Sequence, residues 1–450
     1  MGPTRLAADT TAPLPADTVM HFLLQIGILL GLAFLLGRAA EHFGLPSVTG
    51  ELTAGVVLGP SLLAHLVPGL SDWLLPRNPA QMQLLDAVGQ LGVLLLVGFT
   101  GMHIDIPHAR RHGRTAAGVS AAALLIPLAL GIALAYTLPG QLAPAGADTL
   151  AFACFIGVAM CVSSIPIIGR VLVDMRLIDR PVGQMIMVVA AIDDAVGWLL
   201  VSLVTALATT GLGAHDITTP LWHMAALLVI TLTAGRWTVR SVLKWAHDSG
   251  FHGPTVTATV LLLVLSGAGA HTLGFEPLLG AFLCGILIGT CDEGDQSRRL
   301  EPLETMVLAF LAPLFFALAG LRIDLTALAT PGTALRGLAA LVIAVVGKYL
   351  GAFAGAAVGK LSRWEAVAVG AGINARGVIQ VVIAVTGLRI GLLNTAMYSI
   401  VVLIAVITPL MAPPVLKAAM KQLGRTERPA SQLPEPPAEG RGTLRSTQLP

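Results

Sequence analysis

Charged side chains are scarce in this chain. Only 12% of its 450 residues are Asp, Glu, Lys or Arg, whereas 55% are hydrophobic and the mean hydropathy is +0.82. A soluble protein carries about 25% charged residues, so this chain lacks the charge needed to cover a water-facing surface. The net charge of +2 is too small for the electrostatic footprint of a nucleic-acid-binding protein. The composition therefore excludes a soluble globular domain, a disordered chain and a nucleic-acid partner.

Cysteine and recognisable catalytic motifs are also missing or rare. The four cysteines form no CxxC pair and lie in or beside apolar runs, which favours small buried residues over metal ligands or disulfides: Cys154, Cys161, Cys284 and Cys291. The sequence contains no HExxH, GxSxG, P-loop or dinucleotide-binding glycine motif. We therefore expect neither an enzyme nor a bound cofactor.

The chain is instead a succession of apolar stretches. A helix that crosses a bilayer needs about 20 mostly apolar residues. The sequence predicts an all-α polytopic membrane protein with about 13 transmembrane helices, at approximately 20–37, 48–66, 84–102, 115–138, 149–171, 183–208, 221–240, 255–271, 277–290, 303–320, 334–358, 365–387 and 396–416.

The basic residues predict how these helices are oriented. Most of the 27 Lys and Arg residues fall in alternate loops, and basic loops stay in the cytoplasm. This pattern indicates an N-out, C-in protein of the cytoplasmic membrane, with one membrane domain over 19–417. The segments 1–18 and 418–450 lack apolar periodicity, and we expect both to be disordered tails.

Three charged residues lie where the bilayer centre is expected. Asp193 and Asp194 fall midway along the sixth span, and Lys348 falls within the eleventh. A charge at this depth costs about 2.5–3.5 kcal/mol on insertion scales, so it needs a reason. Two adjacent carboxylates do not both ionise cheaply, and an arriving hard cation would displace the lysine and expel protons. The pattern favours cation/proton exchange over a purely structural ion pair.

Two spans contain residues that interrupt a helix. The fifth carries Ser163, Ser164 and Pro166, and the twelfth carries Asn374, Arg376 and Gly377: FIGVAMCVSSIPIIGRVL and GAGINARGVIQVV. Interrupted helices at corresponding positions in two halves of a chain indicate a midplane binding site between inverted repeats. Such a crossing offers bare carbonyl groups to a cation, and Arg376 can compensate the dipole of a half-helix.

Other charges have simpler interpretations. Glu51 lies near the cytoplasmic start of the second span, where an entry funnel and a structural role are equally good explanations. The run that contains Arg170, Asp174 and Arg180 is interpreted as a solvated cytoplasmic helix end, which also steers ions.

Several segments together resemble the monovalent cation:proton antiporter-2 family. They occur in the family's order over about residues 20–416: GLPSVTGELTAGVVLGPSLL, LGVLLLVGFTGMHIDI, SSIPIIGRVLVDMRLID, AAIDDAVGW, PLLGAFLCGILIG, LAPLFFALAGLRIDL and GINARGVIQVVIAVTGLRIGLL. The resemblance implies the sodium/proton antiporter fold, an elevator mechanism and a homodimer in the lipid bilayer. It also implies core helices at about 115–208 and 334–416, and dimerisation helices at about 20–102 and 255–320.

The resemblance assigns roles to individual residues. Asp194 becomes the principal cation ligand and proton carrier, and Asp193 its partner, paired with Lys348 when no cation is bound. Ser163 and Ser164 match the position of a polar ligand on the broken fifth span. Gln380 stands where many members have Glu, so one coordinating or regulatory charge is missing.

The resulting prediction is a secondary antiporter that exchanges a monovalent cation for H⁺. Na⁺ is the first choice, K⁺ and Li⁺ are alternatives, and two carboxylates with a lysine predict electrogenic exchange. A K⁺ efflux exchanger remains open, although its glutathione-regulated members typically show Gln-Asp in place of Asp-Asp. A cation channel or uniporter also remains open, and a sodium-coupled organic-anion symporter fits the buried charges less well.

Overall fold

The computed structural model describes residues 15–43, 45, 47–75, 79–104, 106–138, 148–209, 214–248, 252–291, 296–322 and 331–426. Every regular element in these ranges is helical, which confirms the all-α prediction. Most of the two predicted tails, at 1–14 and 427–450, lies outside the described residues.

The described residues of the first half of the chain form nine helices. They are α1 (Ala16–His42), α2 (Ser47–Leu58), α3 (Leu63–Leu66), α4 (Pro68–Leu74), α5 (Pro79–Met102), α6 (Ile106–Thr137), α7 (Thr149–Cys161), α8 (Ile165–Asp174) and α9 (Pro181–Thr209).

Ten more lie in the part of the second half that the structure describes. They are α10 (Ala214–Ile230), α11 (Arg236–Asp248), α12 (His252–Thr272), α13 (Pro277–Gly289), α14 (Gln296–Met306), α15 (Ala312–Leu321), α16 (Pro331–Gly359), α17 (Arg363–Ile373), α18 (Val378–Arg389) and α19 (Thr395–Thr426). Single π-helical turns at Thr231–Gly235 and Val307–Leu311 join α10 to α11 and α14 to α15.

Eleven helices or joined helices of the described chain are long and apolar enough to cross a membrane. The sequence predicted about 13. Of the remaining predicted spans, one corresponds to α13, which has only 13 residues. The other corresponds to the pair α17 and α18, which have 11 and 12 residues.

The ends of the helical region differ from the sequence-based boundaries. Helix α1 begins at Ala16, and α19 continues to Thr426, beyond the expected boundary at 417. The segment after Pro414 contains Ala, Met, Lys, Gln and Leu, which favour helix. It therefore extends the last span without being apolar enough to be predicted as part of it.

Small residues bring α16 and α6 together. A Cβ atom at Gly351 would lie 2.5 Å from the Cα of Ala123, and one at Gly355 would lie 2.3 Å from the Cα of Val119. Only glycine permits such backbone contact, and spacing of four residues keeps both glycines on one helix face. This contact holds the helix that carries Lys348 against α6.

The chain between α7 and α8 meets the chain between α17 and α18. The ring of Pro166 would clash with the carbonyl of residue 162 in a continuous helix, and α7 ends at Cys161. The backbone N–H of Ser164 donates to the carbonyl of Ala375 at 3.1 Å. The two non-helical segments therefore satisfy part of each other's backbone hydrogen bonding.

Candidate functional site

A buried ion pair lies beside these two non-helical segments. Lys348 Nζ, on α16, is 2.8 Å from Oδ2 of Asp193, on α9, and both side chains are fully buried. Lys348 also donates to Ser163 Oγ at 2.9 Å. A second serine, Ser120 on α6, donates to the other carboxylate oxygen of Asp193 at 2.6 Å. Three helices, α6, α9 and α16, and the non-helical segment that carries Ser163 thus converge on one carboxylate.

Ser163 connects this pair to both non-helical segments. Its hydroxyl oxygen lies 3.0 Å from Asp193 Oδ2 and 2.8 Å from the carbonyl oxygen of Ile373, the last residue of α17. A hydroxyl has one proton, so Ser163 donates to only one of these acceptors at a time. The hydroxyl can therefore change partner when the charge on Asp193 changes.

Asp194 faces a different environment. The residue is 1% exposed, and its buried Oδ1 has no hydrogen-bond partner. Adjacent helical residues point about 100° apart, which separates Asp194 from the Lys348 pair. The carboxyl groups of Glu276 and Asp193 both act electrostatically on Asp194. The buried Asp194 carboxyl therefore needs either a proton, which neutralises it, or a cation, which balances the charge of its ionised form.

Arg376 lies at the end of the half-helix α7. Its Nη2 donates to the carbonyl of Met160 at 2.5 Å and to that of Ala344, on α16, at 3.1 Å. The last carbonyls of a helix have no intrahelical partner and carry partial negative charge. The guanidinium group is fully buried and compensates this helix end.

Several buried polar atoms near the non-helical segments have no partner. They belong to Ser164 Oγ, to both polar atoms of the Asn374 side chain and to both polar atoms of the Gln380 side chain. A Cβ atom at Gly377 would lie 2.2 Å from Ile167 Cδ1 and 3.2 Å from Ser164 Oγ. Glycine therefore permits close packing of the segment that carries Asn374 against α8, where Pro166 is the second residue.

The expectation for Arg170 needs correction. Arg170 is only 6% exposed, so it is not part of a solvated helix end. Its Nη2 lies 2.9 Å from Glu51 Oε1 and its Nε lies 3.3 Å from Asp174 Oδ1. Ser47 Oγ lies within 3.0 Å of both carboxylates. A buried arginine needs such partners, and burial of the arginine draws the two acidic side chains inward.

A cavity of about 440 Å³ adjoins this cluster. Ser47, Asp174 and Lys417 are among its lining residues. Glu51 does not line it, since its side chain is 3% exposed and paired with Arg170. The entry-funnel interpretation of Glu51 stays a prediction.

Sequence reasoning missed two residues of the site. Ser120 attracted no attention because a serine in an apolar helix commonly bonds to its own helix. Glu276 lies between the predicted spans 255–271 and 277–290, where a charge attracts no attention, but it directly precedes α13 and its charge bears on Asp194. Burial raises the pKa of Glu276 above its ordinary value, and nearby His271 opposes that rise.

Comparison with known proteins identifies the family. The family model described as "Sodium/hydrogen exchanger, transmembrane" matches residues 29–422. The chain belongs to this family. It is therefore a multi-pass membrane protein of the monovalent cation:proton antiporters, as the resemblance implied.

The curated relatives carry antiporter names. The Na(+)/H(+) antiporter NhaS4 of Synechocystis is 28% identical over 89% of this chain and 97% of its own length. The Na(+)/H(+)-K(+) antiporter GerN of Bacillus cereus is 25% identical over 88% of this chain and 96% of its own length. The Cation/H(+) antiporter 18 of Arabidopsis thaliana is 27% identical over 95% of this chain, but the chain spans only 53% of its length.

A solved structure has the same fold. The sodium proton antiporter MjNhaP1 of Methanocaldococcus jannaschii matches with a TM-score of 0.63 over 90% of this chain and 100% of that protein, at 19% sequence identity. This likeness confirms the antiporter-type helical fold.

Proposed function

We propose that this protein exchanges a monovalent cation, Na⁺ in the first instance, for H⁺ across the cytoplasmic membrane. The observation that carries the proposal is the unpartnered, buried carboxyl oxygen of Asp194 beside the Asp193–Lys348 pair. The family and the antiporter names of its relatives support the same reaction, and those names include both Na⁺ and K⁺.

Charge balance links cation binding to proton release. With Lys348 protonated and Asp193 ionised, that pair is neutral, so Asp194 needs one positive charge from either a proton or a cation. A cation that also draws Asp193 toward itself leaves Lys348 without its carboxylate. Because an unpaired buried ammonium is costly, Lys348 then gives up its proton. Two protons would leave for each cation, and the exchange would be electrogenic.

Oxygen atoms around the two non-helical segments would complete the cation site. Ser164 Oγ and the Asn374 amide oxygen are buried and unpartnered, and a hard cation prefers oxygen ligands. Ser163 would follow Asp193 by moving its proton between two acceptors.

The proposed motion is an elevator. In this proposal α6–α9 and α16–α19 form a core that contains the site, α1–α5 and α12–α15 form a dimerisation scaffold, and α10 with α11 links them. In the same proposal the chain crosses the membrane 13 times, N-out and C-in, with α13 and the pair α17–α18 counted beside the eleven long helices. Family resemblance supports the inverted repeats and the homodimer.

The test is dissipation of a pH gradient in proteoliposomes. Na⁺, Li⁺, K⁺ and Rb⁺ are added in turn at pH 6.5–8.5 to the wild type and to Asp194→Asn. We expect one or two cations to collapse the gradient in the wild type and none in the variant. Cation flux that moves no protons, and that survives in the variant, would instead indicate a channel.

A further inference from the structure

Helix α11 carries basic and aromatic side chains that the exchange site does not use. Arg236, Arg240 and Lys244 recur every four residues and are all exposed. Trp237 and Trp245 are 73% and 76% exposed. Tryptophan has a large apolar surface, and two tryptophans as exposed as these are unusual. They need a partner outside the chain.

The remaining face of α11 is packed against the protein. Val239, Leu243 and Ala246 are buried, and the first two belong to an apolar cluster that includes Leu287 and Ile288 of α13. At about 100° per residue, the tryptophans point away from this packed face and the basic residues lie on its flank. One face of α11 is thus packed against the protein, and its outward surface carries two parallel stripes, one of basic residues and one of tryptophans.

The position of α11 along its span places these stripes at the membrane boundary. The preceding helix α10 exposes apolar side chains that include Leu228, Val229 and Ile230. The first basic residue follows at Arg236, and the stripe then runs for about 12 Å along the helix axis. Tryptophan prefers the interface between hydrocarbon and headgroups, while basic side chains reach outward to phosphates.

We propose that α11 is a binding surface for anionic phospholipid headgroups, with Arg236, Arg240 and Lys244 contacting phosphates and Trp237 and Trp245 embedded beside the acyl chains. In the proposed topology this surface lies in the cytoplasmic leaflet. The ion pairs among the described residues involve Arg38, Arg170, Arg322 and Lys348, and not the three basic residues of α11. The positive charge of this helix therefore favours an anionic occupant. A second copy of the chain docked symmetrically here would instead bring like charges together.

The experiment measures thermal stability of the full-length protein in detergent during titration with dioleoylphosphatidylglycerol. Dioleoylphosphatidylcholine, which has no net charge, is titrated in parallel. We expect phosphatidylglycerol to raise Tm in the wild type. The variant R236Q/R240Q/K244Q should need at least tenfold more of it, since each basic residue near an anionic surface contributes about a fivefold change in affinity.

Two further variants make the result specific. R38Q/K360Q/R363Q removes the same charge from scattered exposed positions, and it should respond to phosphatidylglycerol as the wild type does. R236K/R240K keeps the charge and should also retain the response, which separates headgroup binding from a folding defect.

Three outcomes would overturn the proposal. They are an unchanged response in the α11 variant, an equal effect of the uncharged lipid, and an equal loss in the scattered-charge variant. Loss of a dimer in the α11 variant alone would assign the surface to a second copy instead. The measurement needs no transport, so Asp194→Asn should keep the full lipid response even if exchange at Asp194 is disproved.

Discussion

Replacing Ser120 by alanine tests whether the charge on Asp193 takes part in the exchange. The Ser120 hydroxyl donates to Asp193 Oδ1 at 2.6 Å, and both groups are completely buried. Alanine removes this donor and leaves Lys348 and Ser163 in contact with Oδ2. The substitution therefore weakens the ionised form of Asp193 without removing its lysine partner.

The magnitude follows from the kind of hydrogen bond. A bond to a charged group contributes about 1.5–3 kcal/mol, and one pH unit corresponds to 1.36 kcal/mol. When the donor is lost, protons compete more effectively with the cation. The pH of half-maximal exchange should therefore rise by about one to two units, with a smaller change in the maximal rate.

The assay is the pH profile of cation-dependent ΔpH dissipation in proteoliposomes. Ser399→Ala is the matched control, because this serine is also buried but bonds to the Thr395 carbonyl of its own helix. Its profile should stay within a few tenths of a unit of the wild type. An unchanged profile in a well-folded Ser120→Ala protein, or a shift to lower pH, would refute the role given to Asp193.

Three further substitutions test other parts of the structure. Lys348→Gln should make exchange electroneutral, because the second proton donor is gone. Currents measured on solid-supported membranes should vanish while ΔpH dissipation persists. A remaining current would contradict the two-proton scheme. Glu51→Gln should destabilise the protein by about 3 kcal/mol, because it leaves Arg170 buried with less charge compensation. The control Glu41→Gln, at the surface, should cost under about 1 kcal/mol. Equal shifts in Tm for the two variants would argue against the buried cluster. Glu276→Gln should be more stable than the wild type at pH 8, because burial raises the pKa of Glu276 and disfavours its ionised form in the folded state. That difference in Tm should shrink as the pH falls and vanish below the ordinary value of 4.5, so a difference that does not depend on pH would point to packing instead.

The membrane class, the family and the acidic pair were predictable from sequence, each for a physical reason. Charge is expensive inside a bilayer, so Asp193, Asp194 and Lys348 are conspicuous in apolar spans. Pro166 marks the end of α7 because a helix cannot continue through it without a clash. These features are local, because the energetic cost of each residue in its own span is evident from the sequence alone.

Other features depend on which helices become neighbours. Ser120 lies 73 positions from Asp193 in the chain, and nothing local shows that its hydroxyl leaves its own helix. Arg170 was misassigned because charge near a span end normally reaches water, whereas here α2 covers it with Glu51. The glycines at 351 and 355 are visible in the sequence, but their close packing against α6 became evident only in the structure.

The two buried cations of the core have different roles because their partners differ. Arg376 has no carboxylate partner in the described structure and contacts two carbonyls, those of Met160 and Ala344. By the i→i−4 pattern of an α-helix, the Ala344 carbonyl also accepts from the backbone N–H of Lys348. The planar guanidinium group reaches both carbonyls at once, so it joins the end of α7 to the turn of α16 that carries the lysine. Its charge compensates the helix end, and the proposed transport cycle does not require that charge to change. The Asp193–Lys348 pair is held by side chains alone, so in the proposed exchange it is the part of the described core that an arriving cation would rearrange.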